Sequence, residues 1–190
     1  MSLFDQFTAS LAYIKHINKI EKQLNSNYVS TWFDGFYFNK EIENFEQNIK
    51  WIREQKQWKR IAYLGVTGTT STPEHLFAIF IDVNAKEAFI YNSQILEDKN
   101  SFENLKKELN EYTFIVNKYS NQFKNQLCGF FALNFIEKMM ASQDLHKCFD
   151  EFNVEKNRDA EIYIYQKKSV LPLQTDVKML QIFLENWKSN

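Results

Sequence analysis

The sequence predicts an α+β domain in which helices flank a central mixed or antiparallel sheet. The hydrophobic pattern is helical over residues 3–24, becomes extended from residue 59, and is helical again from Cys128. At 190 residues and 44% hydrophobic content, the chain has the size of one ordinary domain with a substantial core. We therefore expect a single domain over residues 1–190.

Two amphipathic helices are predicted ahead of the sheet. Apolar residues recur at near-helical spacing over residues 3–24 and again over about 39–57. An aromatic, irregular segment at residues 30–38 separates the two helices, and Gly35 after Asp34 marks a turn within it.

The central strands are predicted from apolar runs. Arg60–Val66 has an extended pattern, the turn-rich residues 67–73 follow, and a dense apolar strand then begins at His75. Glu87–Tyr91 returns after a short connection. We expect these last two strands to form an antiparallel hairpin centred near residues 83–84.

Helices and strands are also predicted in the C-terminal half. Ser101 caps a short helix, Tyr112–Tyr119 has the pattern of a strand, and an apolar helix begins at Cys128. The remaining predicted segments are a polar loop at about 141–160, a strand at Glu161–Tyr165 and a last helix at Asp176–Lys188.

Composition argues against several classes of function. Lys plus Arg total 23 against 24 Asp plus Glu, so no basic field suggests nucleic-acid binding. The two cysteines do not form the disulfide framework of a small secreted domain, and no N-terminal segment resembles a signal peptide. No apolar run approaches the roughly 20 residues that cross a bilayer. We expect a monomer inside the cell, with no membrane anchor, metal or cofactor.

Cys128 is the candidate nucleophile. A cysteine in an apolar helix is most often a core residue, but this one follows a polar turn and begins the helix. A helix N-terminus stabilises negative charge, so we expect it to lower the pKa of the thiol. The unpaired N–H groups of the first turn would also be available to hold an oxyanion.

His75 and Asn92 are the candidate base and its orienting partner. Of the three histidines, His16 lies on a polar helix face and His146 in the predicted polar loop, whereas His75 begins a buried strand. The expected hairpin register brings Asn92 beside it. A side-chain amide that accepts from the ring fixes the tautomer, as in a Cys-His-Asn triad.

Gln122 is the candidate oxyanion donor. It lies six residues before Cys128, and the intervening turn can fold its amide back over the thiol. Gln126 is the alternative, which the sequence leaves open. Gly129 directly follows the thiol, where a side chain would crowd the substrate backbone.

These residues resemble the adenovirus-type maturation cysteine proteases (adenain), within the wider group that includes the SUMO-specific proteases. The order His75-Leu76, Asn92, Gln122 and Cys128-Gly129 is similar to that group, although Leu76 replaces its usual Trp and Asn92 its usual acid. The spacing of Gln122 is closer to the SUMO-protease pattern. The resemblance implies a permuted papain-like fold, with the nucleophile at the N-terminus of a central helix.

The resemblance also implies a function. It suggests a viral maturation endopeptidase that cleaves capsid or core precursors at Gly-containing sites, located in the virion and the host cell interior. Length and composition are similar to those expected of a virophage protein of the mavirus type. Adenain-like enzymes use DNA and a peptide as activators, but the near-zero net charge does not support a nucleic-acid activator here.

Three other functions stay open. The same residues would suit a protease that removes a ubiquitin-like modifier, or a Yop-type acetyltransferase. A catalytically silent binding module is the alternative from a different class, since the usual acid is missing at position 92.

Overall fold

The computed structural model describes residues 2–3, 5–6, 9, 31–32, 36–38, 54, 59–68, 73–95, 106–107 and 109–170. Several predictions therefore lie outside the described residues, namely those for the Gly35 turn, His16, Ser101 and the last helix at Asp176–Lys188. Of the helix predicted at 39–57, the structure describes Glu54, which is helical. The described residues near the N-terminus, from Leu3 to Ala9, are helical as predicted.

Within the described residues the sheet is mixed and has six strands: β1 Thr31–Trp32, β2 Phe36–Phe38, β3 Arg60–Gly68, β4 Pro73–Asp82, β5 Glu87–Tyr91 and β6 Thr113–Val116. β3, β4 and β5 are antiparallel neighbours, β6 adds parallel to β5, and the short β1 and β2 both pair parallel with β3. β3 and β4 both extend into the predicted turn at residues 67–73, so that loop is shorter than expected.

Both faces of the sheet are buried. Along β4, Leu76, Ala78 and Phe80 join the core that the C-terminal helices cover. The intervening Phe77, Ile79 and Ile81 belong to a second cluster on the other face. Side chains alternate between faces along a strand, so a strand buried on both sides is apolar at nearly every position. This explains the continuous apolar run that predicted β4.

The β4–β5 hairpin forms, but the centre of its turn lies one residue later in the sequence than predicted. Asp82 pairs with Glu87, which centres the turn between Asn84 and Ala85. The carboxylate of Asp82 accepts hydrogen bonds from the N–H groups of both turn residues, each at 3.0 Å. This side-chain contact stabilises the observed turn over the one expected near residues 83–84.

Helix α1, Cys128–Ala141, begins at the predicted cysteine and packs against the β4 face of the sheet. Arg60, at the start of β3, binds the C-terminus of this helix and so links it to the sheet. The guanidinium donates to the carbonyl oxygens of Met139 and Met140 at 3.3 Å and of Ser142 at 2.6 Å. The last carbonyl groups of a helix lack a full set of intrahelical partners, and Arg60 supplies donors to them.

The predictions for residues 141–165 were wrong. The predicted polar loop contains helix α2, Leu145–Phe152, and helix α3 occupies Asp159–Tyr165 in place of the predicted strand. A π-helical turn, Gln166–Val170, continues α3. In α3 the alternating Ile and Tyr residues suggested a strand, but Ile162 is its buried residue and Ile164 is exposed.

The fold class is confirmed as α+β, with a mixed central sheet, helices packed on it and Cys128 at the N-terminus of a helix. Among the described residues, no helix is both long and apolar enough to cross a membrane.

Candidate active site

The hairpin brings His75 and Asn92 into direct contact. Nε2 of His75 lies 2.6 Å from Oδ1 of Asn92. The same amide oxygen accepts the backbone N–H of Gln94 at 3.1 Å, so an oxygen rather than the amide nitrogen faces the ring. The imidazole therefore carries its proton on Nε2, and Nδ1 is the nitrogen with a free lone pair.

Asn92 is itself fixed by a second asparagine that the sequence did not single out. The side chain of Asn117, just beyond β6, accepts the N–H of Asn92 and donates to its carbonyl oxygen, both at 2.8 Å. All three side chains, those of His75, Asn92 and Asn117, are buried. In a chain rich in Asn, composition gave no signal that marked Asn117.

The thiol of Cys128 lies beside the residue that follows His75. Its side chain is 3% exposed, and the backbone N–H groups of Leu76, Gly129 and Cys128 itself are positioned to hydrogen-bond the thiolate. Burial nevertheless raises the pKa of Cys128 to about 11, because desolvation outweighs these three donors. The expectation that the helix N-terminus would lower this pKa was wrong for that reason.

Burial also lowers the pKa of His75, and the hydrogen bond that His75 donates to Asn92 opposes this shift in part. With the thiol pKa raised and the imidazole pKa lowered, both groups are neutral near pH 7. The resting site thus holds a thiol and a neutral imidazole, rather than the thiolate–imidazolium pair common in cysteine peptidases.

Gln122 is buried in the turn that leads to Cys128. Its Oε1 accepts the hydroxyl of Ser93 at 2.7 Å, and its Nε2 donates to the carbonyl oxygen of Asn125 at 2.7 Å. A primary amide nitrogen carries two hydrogens, and Asn125 accepts one of them. Gln126, the alternative, has an exposed side chain.

The turn that carries Gln122 is fastened to the body of the protein at several points. The hydroxyl of Tyr91 donates to Asn121 Oδ1 at 2.9 Å, and the Asn121 amide donates to the carbonyl of Val154 at 2.9 Å. The carboxylate of Asp159, at the start of α3, accepts the N–H groups of Phe123 at 3.1 Å and Lys124 at 2.8 Å. α3 therefore holds the segment that leads to Cys128 in place.

Gly129 lies in a closely packed part of the interior. A Cβ atom added there would lie 2.8 Å from Leu76 Cδ1, so the end of that side chain would have to shift, and 3.1 Å from the Cβ of Gln6, which is a tight contact. The glycine thus lets α1 approach β4 and the N-terminal segment, a reason different from the substrate contact expected from the sequence.

Cys148, the second cysteine, lies on α2 and is buried and free. Burial raises its pKa. The described residues contain no group of three or more His, Cys, Asp or Glu side chains arranged to hold a metal ion.

Comparisons with known proteins reveal similarity of fold. The chain matches no protein-family model, and no curated protein matches its sequence. The central domain of Lpg1148 from Legionella pneumophila is similar over 76% of this chain and 89% of that domain, with a TM-score of 0.51 and 11% identity.

Two further solved structures are similar. AvrA, whose structure contains IP6 and CoA, matches over 76% of this chain with a TM-score of 0.51 and 16% identity, and this chain spans 56% of the AvrA chain. A de-sumoylating protease matches over 96% of this chain and 81% of its own, with a TM-score of 0.49 and 12% identity. At such low identity, the first two likenesses establish the fold and not the activity.

Proposed function

We propose that this chain is a cysteine endopeptidase that works through a thioester acyl-enzyme. The observation that carries the proposal is the 2.6 Å hydrogen bond between His75 Nε2 and Asn92 Oδ1. It leaves Nδ1 as a basic nitrogen, on the strand whose next residue, Leu76, contacts the thiol of Cys128. These are the three residue types of a Cys-His-Asn triad, in which the orienting amide binds the ring nitrogen that does not face the thiol.

In the first half of the reaction, His75 Nδ1 takes the proton of the Cys128 thiol as sulfur attacks the substrate carbonyl carbon. A C–S bond forms and the carbonyl oxygen becomes an oxyanion, which the N–H of Cys128 and the amide of Gln122 stabilise. The C–N bond then breaks, and His75 returns its proton to the leaving amine. The product is a thioester on Cys128.

In the second half, water replaces the amine. His75 takes a proton from water as the water oxygen attacks the thioester carbon. The C–S bond then breaks, His75 returns the proton to the leaving sulfur, and a carboxylic acid is released from the regenerated thiol. Because the resting dyad is neutral, proton transfer accompanies the attack of sulfur. The proposal therefore makes His75 a general base during the reaction, rather than the partner of a preformed thiolate.

The proposed substrates are viral precursor proteins of the capsid or core, cleaved at sites with small residues such as Gly. The support is the order and spacing of His75, Asn92 and Cys128-Gly129, which resemble adenain. The substrate backbone would bind in an extended conformation. A maturation enzyme of this kind would act in the virion and the infected cell, as a monomer.

A protease that removes a ubiquitin-like modifier is the second candidate. The observation that favours it is the buried position of Gln122 beside Ser93, at the six-residue spacing that resembles SUMO-specific proteases. An acetyltransferase is also tested, because the structure of AvrA contains CoA. The modifier protease and the acetyltransferase would both form a thioester on Cys128, and they differ in the molecules that donate and accept the acyl group.

The test uses purified protein and its Cys128→Ala variant. Each is incubated with a peptide library from denatured capsid proteins, with a linear SUMO fusion, and with acetyl-CoA plus a protein acceptor. Cleavage of internal Gly-containing peptides, lost in Cys128→Ala, is the expected result. Cleavage confined to the SUMO fusion selects deconjugation, and CoA-dependent acetylation selects transfer. If no probe reacts and a peptide vinyl sulfone does not label Cys128, the proposed activity is refuted and a catalytically silent binding module is the remaining function.

A further inference from the structure

Helix α1 lacks an N-terminal cap from its own part of the chain. Leu127 occupies the capping position, its side chain offers no acceptor, and the first turn contains no acidic residue. A helix leaves its first N–H groups without intrahelical partners, and Ser, Thr, Asp or Asn usually accepts one of them. At the end of the helix that carries the candidate nucleophile, that acceptor has to come from elsewhere.

The acceptor is Gln6, from the N-terminal segment. Its Oε1 accepts the N–H of Gly129 at 3.1 Å, and its Nε2 donates to the carbonyl oxygen of Gln126. The side chain of Gln6 is fully buried, at 0% exposure. Leu3 and Ala9, on either side of it in the sequence, join the core that covers α1.

The two contacts of Gln6 can be made by few side chains. A backbone N–H can only donate and a carbonyl oxygen can only accept, so the orientation of the amide is fixed. Met has a similar size but supplies neither bond. Glu accepts from Gly129 in either protonation state, but it donates to Gln126 only when protonated. Gln meets both requirements at any pH.

We propose that Gln6 is a positioning residue that caps α1 from a distance. It holds the Cys128–Gly129 peptide group by its N–H and the Gln126–Leu127 peptide group by its carbonyl oxygen. The N–H groups of Phe130 and Phe131 already donate to the carbonyl of Leu127 at 3.0 and 3.1 Å. The N–H of Gly129 lies near the thiol but donates to Gln6 Oε1. The N–H of Cys128 is therefore the first-turn donor assigned to the oxyanion, a role that rests on the proposed function. The cap itself does not depend on that function.

The test compares wild type with Gln6→Met and Gln6→Glu. Ser2→Ala is the matched control, because Ser2 is exposed and its hydroxyl bonds Asp5 in the same segment. Cys128-Gly129 is the single Cys-Gly step in the sequence. Labelling with carbonyl-13C cysteine and 15N-glycine therefore isolates the Gly129 amide in an NMR spectrum, and its hydrogen exchange can be followed alone.

Removing a helix cap weakens the local structure enough to speed exchange by about tenfold, so this is the expected change for Gly129 in Gln6→Met. Gln6→Glu should keep Gly129 protected. Alkylation of Cys128 should become faster in Gln6→Met, because local opening exposes the buried thiol. With a cleaved peptide, kcat should fall while KM stays near its wild-type value. Ser2→Ala should change none of these quantities.

Unchanged exchange at Gly129 in Gln6→Met would overturn the cap. Faster exchange with unchanged alkylation and kcat would overturn the positioning role. Equal effects in Ser2→Ala would show that loosening of the whole segment is responsible, which also overturns the proposal. If no substrate is cleaved at all, exchange and alkylation still decide about Gln6, and the proposed function fails separately.

Discussion

The protonation of Cys128 gives the sharpest test of the site. Burial raises the pKa of this thiol from 9.0 to about 11. A displacement of about two units makes the thiolate fraction about 100-fold smaller at any pH below the ordinary value. Because iodoacetamide reacts with the thiolate, the alkylation rate of Cys128 should keep rising with pH well beyond the point where a free thiol levels off.

The assay measures alkylation rates across the neutral and alkaline range, with each cysteine identified by mass spectrometry. The urea-unfolded chain provides the reference curve for an unburied thiol. Limited access of the reagent lowers the alkylation rate at every pH, whereas a raised pKa moves the inflection of the rate–pH curve to higher pH. The pH of the inflection is therefore the quantity to compare. It should lie about two pH units above that of the unfolded chain.

His75→Ala separates the two possible resting states of the dyad. If thiol and imidazole are both neutral, removing the imidazole leaves the inflection of Cys128 nearly in place. If they form an ion pair, Cys128 is alkylated at a lower pH than an ordinary thiol, and His75→Ala abolishes this reactivity at low pH. The second outcome would refute the argument that burial dominates at this site.

Four more outcomes are expected. Asn92→Asp places a carboxylate beside His75 and should raise the pKa of that imidazole by about 1–3 units, which NMR titration of the ring protons would detect, whereas an unmoved titration would contradict the contact. Gln122→Met loses two buried hydrogen bonds and should lower the free energy of unfolding in urea by about 1–3 kcal/mol. Arg60→Met should cost about 1–2 kcal/mol by the same measurement and leave turnover intact, because Arg60 holds the end of α1 about 20 Å from the thiol. Cys128 should contribute up to about 2.7 kcal/mol to a loss of stability above pH 9, because the unfolded chain releases its proton first; Cys128→Ser should lose correspondingly less over this range than wild type.

The pairing of His75 with Asn92 was predictable because it is local. The sequence placed the hairpin centre one residue too early, and the observed register, continued beyond β4 and β5, puts His75 opposite Gln94. Asn92 is then a diagonal neighbour. A shift of two positions in the partner strand keeps a side chain on the same face, so the contact survives the error.

The helices after α1 show where periodicity was misjudged. In α2 the buried residues are Leu145, Cys148, Phe149 and Phe152, which is helical spacing, and Asp144 caps the helix by accepting the N–H of Lys147 at 3.0 Å. Both signals were present in the sequence, but the polar residues between them suggested a loop. In α3 the β-branched and aromatic residues favoured a strand, and tertiary contacts overrode that preference.

The sequence by itself determined the α+β class, the β4–β5 hairpin and the start of α1 at Cys128, because each depends on residues close together in the chain. Tertiary structure alone decided the pKa of the thiol and the capping of its helix. Burial depends on every segment packed around Cys128, and Gln6 reaches Gly129 across 123 positions. No local pattern encodes such contacts, since they form only when distant segments share one core.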